Sequence, residues 1–136
     1  YLDCLFLLGE HHLRRKQFHE AALRLSEFYD RQRAARRRRH YFDQAARHLK
    51  DLYLRKLPRS LEPRELLAGL TQLDDLDFSP SERRLRFLRK AEAHVKCGQF
   101  ERARAILSEA RNSFPDAKEN NTMESLIAEG VRAKAG

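Results

Sequence analysis

Arg31, Arg33, Arg36, Arg37, Arg38 and Arg39 place six guanidinium groups within nine consecutive positions. Such a run can pair with phosphates and release their counterions, which is the chemistry of contact with RNA, DNA or an acidic protein. Tyr41 and Phe42 follow at once and could stack on bases, but they share helical spacing with Ala45 and Leu49, and that assigns them to a core. Four consecutive arginines on a helix would also fan around its whole circumference, as a solvated turn or helix end does. The histidines offer less. His11 and His12 are adjacent and face differently, and His12 and His19 fall on opposite sides of an expected turn. Neither Cys-x-x-Cys nor His-Glu-x-x-His occurs, so the sequence offers no metal-ligand set of known spacing. Asp74, Asp75 and Asp77 lack the further oxygens and the glycine-containing loop of a cation cage and read as an acidic linker. Ser79-Pro80 fits a proline-directed phosphorylation site, and equally a helix cap. With neither a Ser/His/Asp or Cys/His arrangement nor a glycine-rich phosphate loop, the sequence argues against an enzyme and implies no cofactor.

The elements that must carry these residues are helices. Five glycines and four prolines in 136 residues, with abundant Leu, Ala, Arg and Glu, predict an all-α fold of about 6–7 helices in one domain spanning 1–136. No apolar run approaches the roughly 20 residues that cross a membrane. Cys4 and Cys97 lie among apolar neighbours; the alternatives are a disulfide between them and two reduced core thiols, and the second is expected, as in a cytoplasmic or nuclear protein. The chain has no initiator Met and opens inside an apolar pattern, Tyr1, Leu2, Leu5 and Phe6, so it is expected to be a fragment of a longer protein. Charge is uneven. Residues 1–59 carry 15 Lys and Arg against 7 Asp and Glu, the whole +8 excess, while residues 60–136 carry 13 of each.

Apolar stripes at helical spacing predict helices over about 1–14, 18–31 and 41–56, with a turn near 34–38. Leu57-Pro58-Arg59-Ser60 breaks the third. A short helix over about 63–73 follows, and then Ser79-Pro80-Ser81-Glu82 reads as a complete helix start: Ser79 as N-cap, Pro80 in the first turn and Glu82 reaching back. Pro115 stops a later helix, and Asn121 is expected to cap a final one over 119–134, with Met123, Leu126, Ile127 and Val131 on one face.

Gly98, Phe100, Ala103, Leu107, Ala110 and Pro115 stand at spacings that resemble the tetratricopeptide repeat (TPR) signature. Gly98 suits a left-handed turn between two helices, Phe100 plugs the corner, and Ala103 must be small where the helices cross. Leu107 and Ala110 line the packed face. An earlier copy has Leu8 and Gly9, then Phe18, Ala21 and Leu25 in register, with Lys16 at the turn. The copies cover about 2–35 and 84–117; the stretch over 36–80 is either a degenerate repeat or an insertion. The resemblance implies antiparallel helical hairpins stacked as a TPR-like superhelix, acting as a protein–protein interaction scaffold in a multi-subunit complex. The clamp by which some TPR domains hold a partner's C-terminal carboxylate uses Lys and Asn on first helices. Phe6, Glu10, Leu88 and Glu92 stand there instead, so that mode is not expected. The two-repeat layout is also similar to the N-terminal region of TPR subunits of the anaphase-promoting complex, which self-associates. Leu2, Leu5 and Phe6 are the candidate homodimer face, because Tyr1, Leu2, Leu5, Phe6 and Leu13 exceed what one partner helix can cover. The alternative reading is an RNA-binding helical-repeat component of a ribonucleoprotein that uses Arg31–Arg39.

Overall fold

The structure, a computed structural model, describes residues 2–34 and 40–136. The described residues form seven α-helices and no strand. The chain divides into two compact units, Tyr1–Arg59 and Ser60–Gly136, and the boundary falls inside the segment over 36–80.

In the first unit, α1 (Leu2–Arg14) and α2 (Phe18–Ala34) form an antiparallel hairpin, and α3 (Phe42–Asp51) packs on α2. Aromatic side chains build the core. Phe6 stacks on Tyr41 with ring centroids 4.3 Å apart and meets Phe28 at 5.6 Å, while Tyr29 stacks on Phe42 at 5.2 Å. Burial of each such side chain contributes about 1.5–3 kcal/mol relative to exposure. Leu52–Lys56 extends α3 as a π-helical segment, closed by the Leu57 N–H donating to the Leu52 carbonyl at 2.8 Å. Leu52, Tyr53 and Leu54 are all buried there. Three consecutive inward residues span a narrower arc on the wider turn than on an α-helix, which is where a π-turn suits the packing.

In the second unit, α4 (Pro63–Gln72) packs on α5 (Pro80–Lys96), α5 forms an antiparallel hairpin with α6 (Phe100–Ser113), and α7 (Lys118–Ala135) lies against both helices of that hairpin. The helix start expected at Ser79 is present: Glu82 N–H donates to Ser79 Oγ at 3.2 Å and Ser79 N–H donates to Glu82 Oε1 at 2.8 Å. Two of the orphan donors of the helix start are thereby satisfied. Ala91, Ala103, Leu107, Ala110, Met123 and Ile127 form the core, with Phe87, Leu88, Val95, Ile106 and Val131 around it.

The final helix departs from expectation. It begins at Lys118 with Ala117 at its N-cap, and Asn121 is exposed. Asn120 is the buried amide instead, and its Nδ2 donates to the Phe114 carbonyl at 2.7 Å, holding the chain that leaves α6. The cysteines depart too. Cys4 and Cys97 are exposed free thiols rather than core residues, because Leu5 and Phe6 take the inward positions beside Cys4, and Cys97 lies in the turn after α5.

Candidate interaction site

Each hairpin turns by the same device. Lys16 and Gly98 are in the left-handed region, at φ 57° and 72°. Lys16 N–H donates to Leu13 O at 3.0 Å and Gln17 N–H to His12 O at 2.9 Å. In the other turn Gly98 N–H donates to Val95 O at 2.9 Å and Gln99 N–H to His94 O at 2.8 Å. These paired bonds satisfy the last carbonyls of α1 and α5. A side-chain bond repeats as well: His12 Nδ1 donates to Gln17 Oε1 at 2.7 Å, and His94 Nδ1 to Gln99 Oε1 at 2.8 Å. An amide oxygen only accepts, so Nδ1 carries the proton in both rings. Lastly, Lys56 lies 5.8 Å from the centroid of the Phe18 ring and Lys134 lies 5.7 Å from that of Phe100. In each unit a lysine at the end of the third hairpin-packing segment thus sits over the aromatic that follows the turn.

Behind the turns, the helices approach closely. Ala21 and Ala103 are fully buried, and so is Leu25, with Leu107 and Ala110 nearly so. A Cβ added to Gly9 would stand 2.6 Å from Leu25 Cγ, so α1 needs a glycine where α2 crosses it. Phe18 and Phe100 are half-buried at the corners, and Pro115 is exposed just past the end of α6. The aromatic Phe100 is also where α7 closes on the hairpin, since a Cβ on Gly130 would meet Phe100 Cε1 at 2.7 Å.

No family model matches this chain, and neither a curated protein nor a solved structure matches it. The assignment of a binding surface therefore depends on geometry.

Two of the sequence-based candidates change on this geometry. Leu5 and Phe6 are 3% and 0% exposed and Leu2 is half-buried, so this trio is not an open association face. Phe28 and Tyr41 cover Phe6 inside its own unit. Leu8, expected to pack, is 45% exposed, as is Leu7 at 50%; Leu23 on α2 reaches 64%. Four consecutive apolar residues cannot all face inward on one helix, and here the inward pair is Leu5 and Phe6. Arg31 pairs with Glu27 at 3.0 Å and Arg33 with Asp30 at 3.7 Å, and the Arg33 guanidinium lies 5.4 Å from the Tyr29 ring centroid. Arg36, Arg37, Arg38 and Arg39 lie outside the described residues.

A cationic cluster that the sequence reading passed over gathers on α5. Arg86 Nη2 donates to the Leu70 carbonyl at 3.0 Å and to Asp74, and its guanidinium lies 4.8 Å from the Phe78 ring centroid. Lys90 pairs with Asp74 at 3.7 Å. Arg83 lies 5.1 Å from the centroid of Phe114. Burial pushes Arg86 below its ordinary pKa. Burial also lowers that of Lys90, the charge of Arg86 lowers it further, and Glu109 acts the other way. Positions 83, 86 and 90 share a helical face, and that periodicity was the available signal. Asp74, however, reaches them only through the packing of α4 on α5.

Proposed function

We propose that the chain is a protein–protein interaction scaffold, built of TPR-like helical hairpins and belonging to a multi-subunit assembly, and that it is not an enzyme. The carrying observation is the duplicated hairpin: two turns with one set of backbone bonds, the same His–Gln side-chain bond and the same buried alanine behind them. Repetition of a packing unit extends a surface, and repeated helical hairpins are a common way to present one to other proteins. The superhelical stacking implied by the TPR resemblance belongs to this reading, as does a location in cytoplasm or nucleus. Among the described residues no helix is long and apolar enough to cross a membrane.

RNA binding through the arginine segment gains little from the geometry. Arg31 and Arg33 already pair with carboxylates one turn away on α2. The two readings separate in a cross-linking experiment on the chain in its native extract. Protein cross-links to the exposed faces of the hairpin helices are expected, with only weak RNA association that falls steeply with salt. RNA adducts alone, or no cross-links at all, would overturn the scaffold reading.

A further inference from the structure

A small cavity of about 70 Å³ opens on α5, lined by Arg83, Arg86, Phe87 and Lys90. Its walls carry three cationic groups and one aromatic ring, a composition that fits a single oxyanion seated against an apolar wall. The cations are not fully neutralised. Asp74 pairs with both Arg86 and Lys90, and its side chain is 54% exposed. The buried Nε–H of Arg86 has no hydrogen-bond partner among the described residues. A buried donor left without an acceptor is costly, and it leaves the Arg86 guanidinium with charge that Asp74 alone does not satisfy. Burial first, and then the neighbouring Arg86, disfavour the Lys90 ammonium against the opposing charge of Glu109, so two cations side by side leave a site that gains from added negative charge.

We propose that this cavity receives the carboxylate of an acidic side chain on a partner protein, with Asp74 as the internal carboxylate that competes for the same cations. The inference rests on the scaffold reading and adds the chemistry of its partner. Asp74 itself indicates the ligand, since the group already paired with Arg86 and Lys90 is a carboxylate on an exposed loop. A nucleic-acid backbone is disfavoured by charge: residues 60–136 hold 13 Lys and Arg and 13 Asp and Glu, so this unit as a whole carries no net positive charge to hold a polyanion.

Titration of the 136-residue chain with hexaglutamate at low salt tests this, read by the Nε–Hε NMR resonances of Arg86 and Arg83. A saturable shift with hexaglutamate and none with hexaglutamine is expected. Lys90→Gln and Arg83→Gln should each weaken the response about two- to fivefold, the range of a partly exposed ion pair. Asp74→Asn should strengthen it by a similar factor, because a competitor is removed. The dispersion of the remaining amide resonances checks that each variant is folded. No shift, a shift indifferent to Lys90→Gln and Arg83→Gln, or weaker binding in Asp74→Asn would overturn the site. So would a stronger response of the same resonances to inorganic phosphate or to an oligouridine, which would assign the cavity to phosphate or to RNA. Failure here alongside protein cross-links elsewhere on the hairpins would remove this site and leave the scaffold reading; absent cross-links would remove both.

Discussion

At Lys16 a lysine stands in a backbone conformation that suits glycine, with φ of 57° where the other turn has Gly98 at 72°. The left-handed conformation costs an L-residue with a Cβ about 1–2 kcal/mol, and glycine escapes that cost. Lys16→Gly should therefore raise the stability of the first hairpin, by roughly 0.5–1 kcal/mol once the greater freedom of glycine in the unfolded chain is subtracted. Gly98→Ala should do the opposite and lower stability by about 1 kcal/mol. A Cβ at Gly98 meets nothing within 4 Å, so its effect would be conformational, with no clash to confuse it. Urea denaturation of both variants checks the pair; an unchanged midpoint for Gly98→Ala would contradict the strain argument. The His–Gln bonds beside these turns belong to the same scale. His12 and Gln17 repeat as His94 and Gln99, four positions before and one after the left-handed residue of equivalent turns, yet in a sequence they read as ordinary polar residues near a loop. Only the geometry shows that each histidine spans the turn.

Among the helices, the close approaches decide which substitutions are tolerated. Ala103→Leu adds volume at a fully buried position on α6, and overpacking of this kind typically costs about 1–3 kcal/mol. Gly9→Ala is a sharper test because two effects oppose. Within a helix, alanine is favoured over glycine by about 0.8–1.0 kcal/mol. The added Cβ, however, would stand 2.6 Å from Leu25 Cγ and 2.7 Å from Leu25 Cδ2 on the facing helix. Leu25 is fully buried and has little room to move, so the clash should win and the variant should melt below the parent. A higher melting temperature would show that α1 and α2 can separate without loss. The hairpins were legible in the sequence because glycine, aromatic and small residues mark turns and crossings at fixed spacing. The inward face of α1 was legible in part: Leu5, Phe6 and Gly9 share a helical stripe and are buried, whereas Leu8, expected on the packed face, is 45% exposed. Phe28 and Tyr41, which cover Phe6, come from residues far along the chain. The Arg83, Arg86 and Lys90 cluster was half legible: its spacing is helical, but the burial of Arg86 and its bonds to Leu70 and Asp74 arise from tertiary packing. Cys4 was misread for a related reason, since apolar neighbours in sequence do not fix the side of a helix on which a residue lies.

Across the whole molecule, the two compact units carry different electrostatic loads. Tyr1–Arg59 contains 15 Lys and Arg against 7 Asp and Glu, whereas Ser60–Gly136 contains 13 of each. Like charges crowded into a small folded unit repel one another and oppose compactness, and salt screens that repulsion. The screening length falls from about 30 Å at 0.01 M to about 8 Å at 0.15 M, which spans the dimensions of a unit this small. Prepared as separate polypeptides, residues 1–59 and 60–136 should therefore respond differently to salt. The second should unfold cooperatively at a temperature nearly independent of ionic strength, because its ion pairs, such as Arg111–Glu124 at 2.6 Å and Arg84–Glu119 at 3.6 Å, offset whatever repulsion is relieved. The first should gain stability as salt rises through that range, its arginine-rich segment being the main source of repulsion. Exchanging Arg36–Arg39 for Gln should abolish most of that gain, with a change of no more than about 0.5 kcal/mol per site at high salt, as for ordinary surface substitutions. Thermal melts at the two ionic strengths decide the matter. A first unit whose melting point is flat with salt would mean that its charge is neutralised within its own fold, and the arginine segment would then be a structural element of that unit.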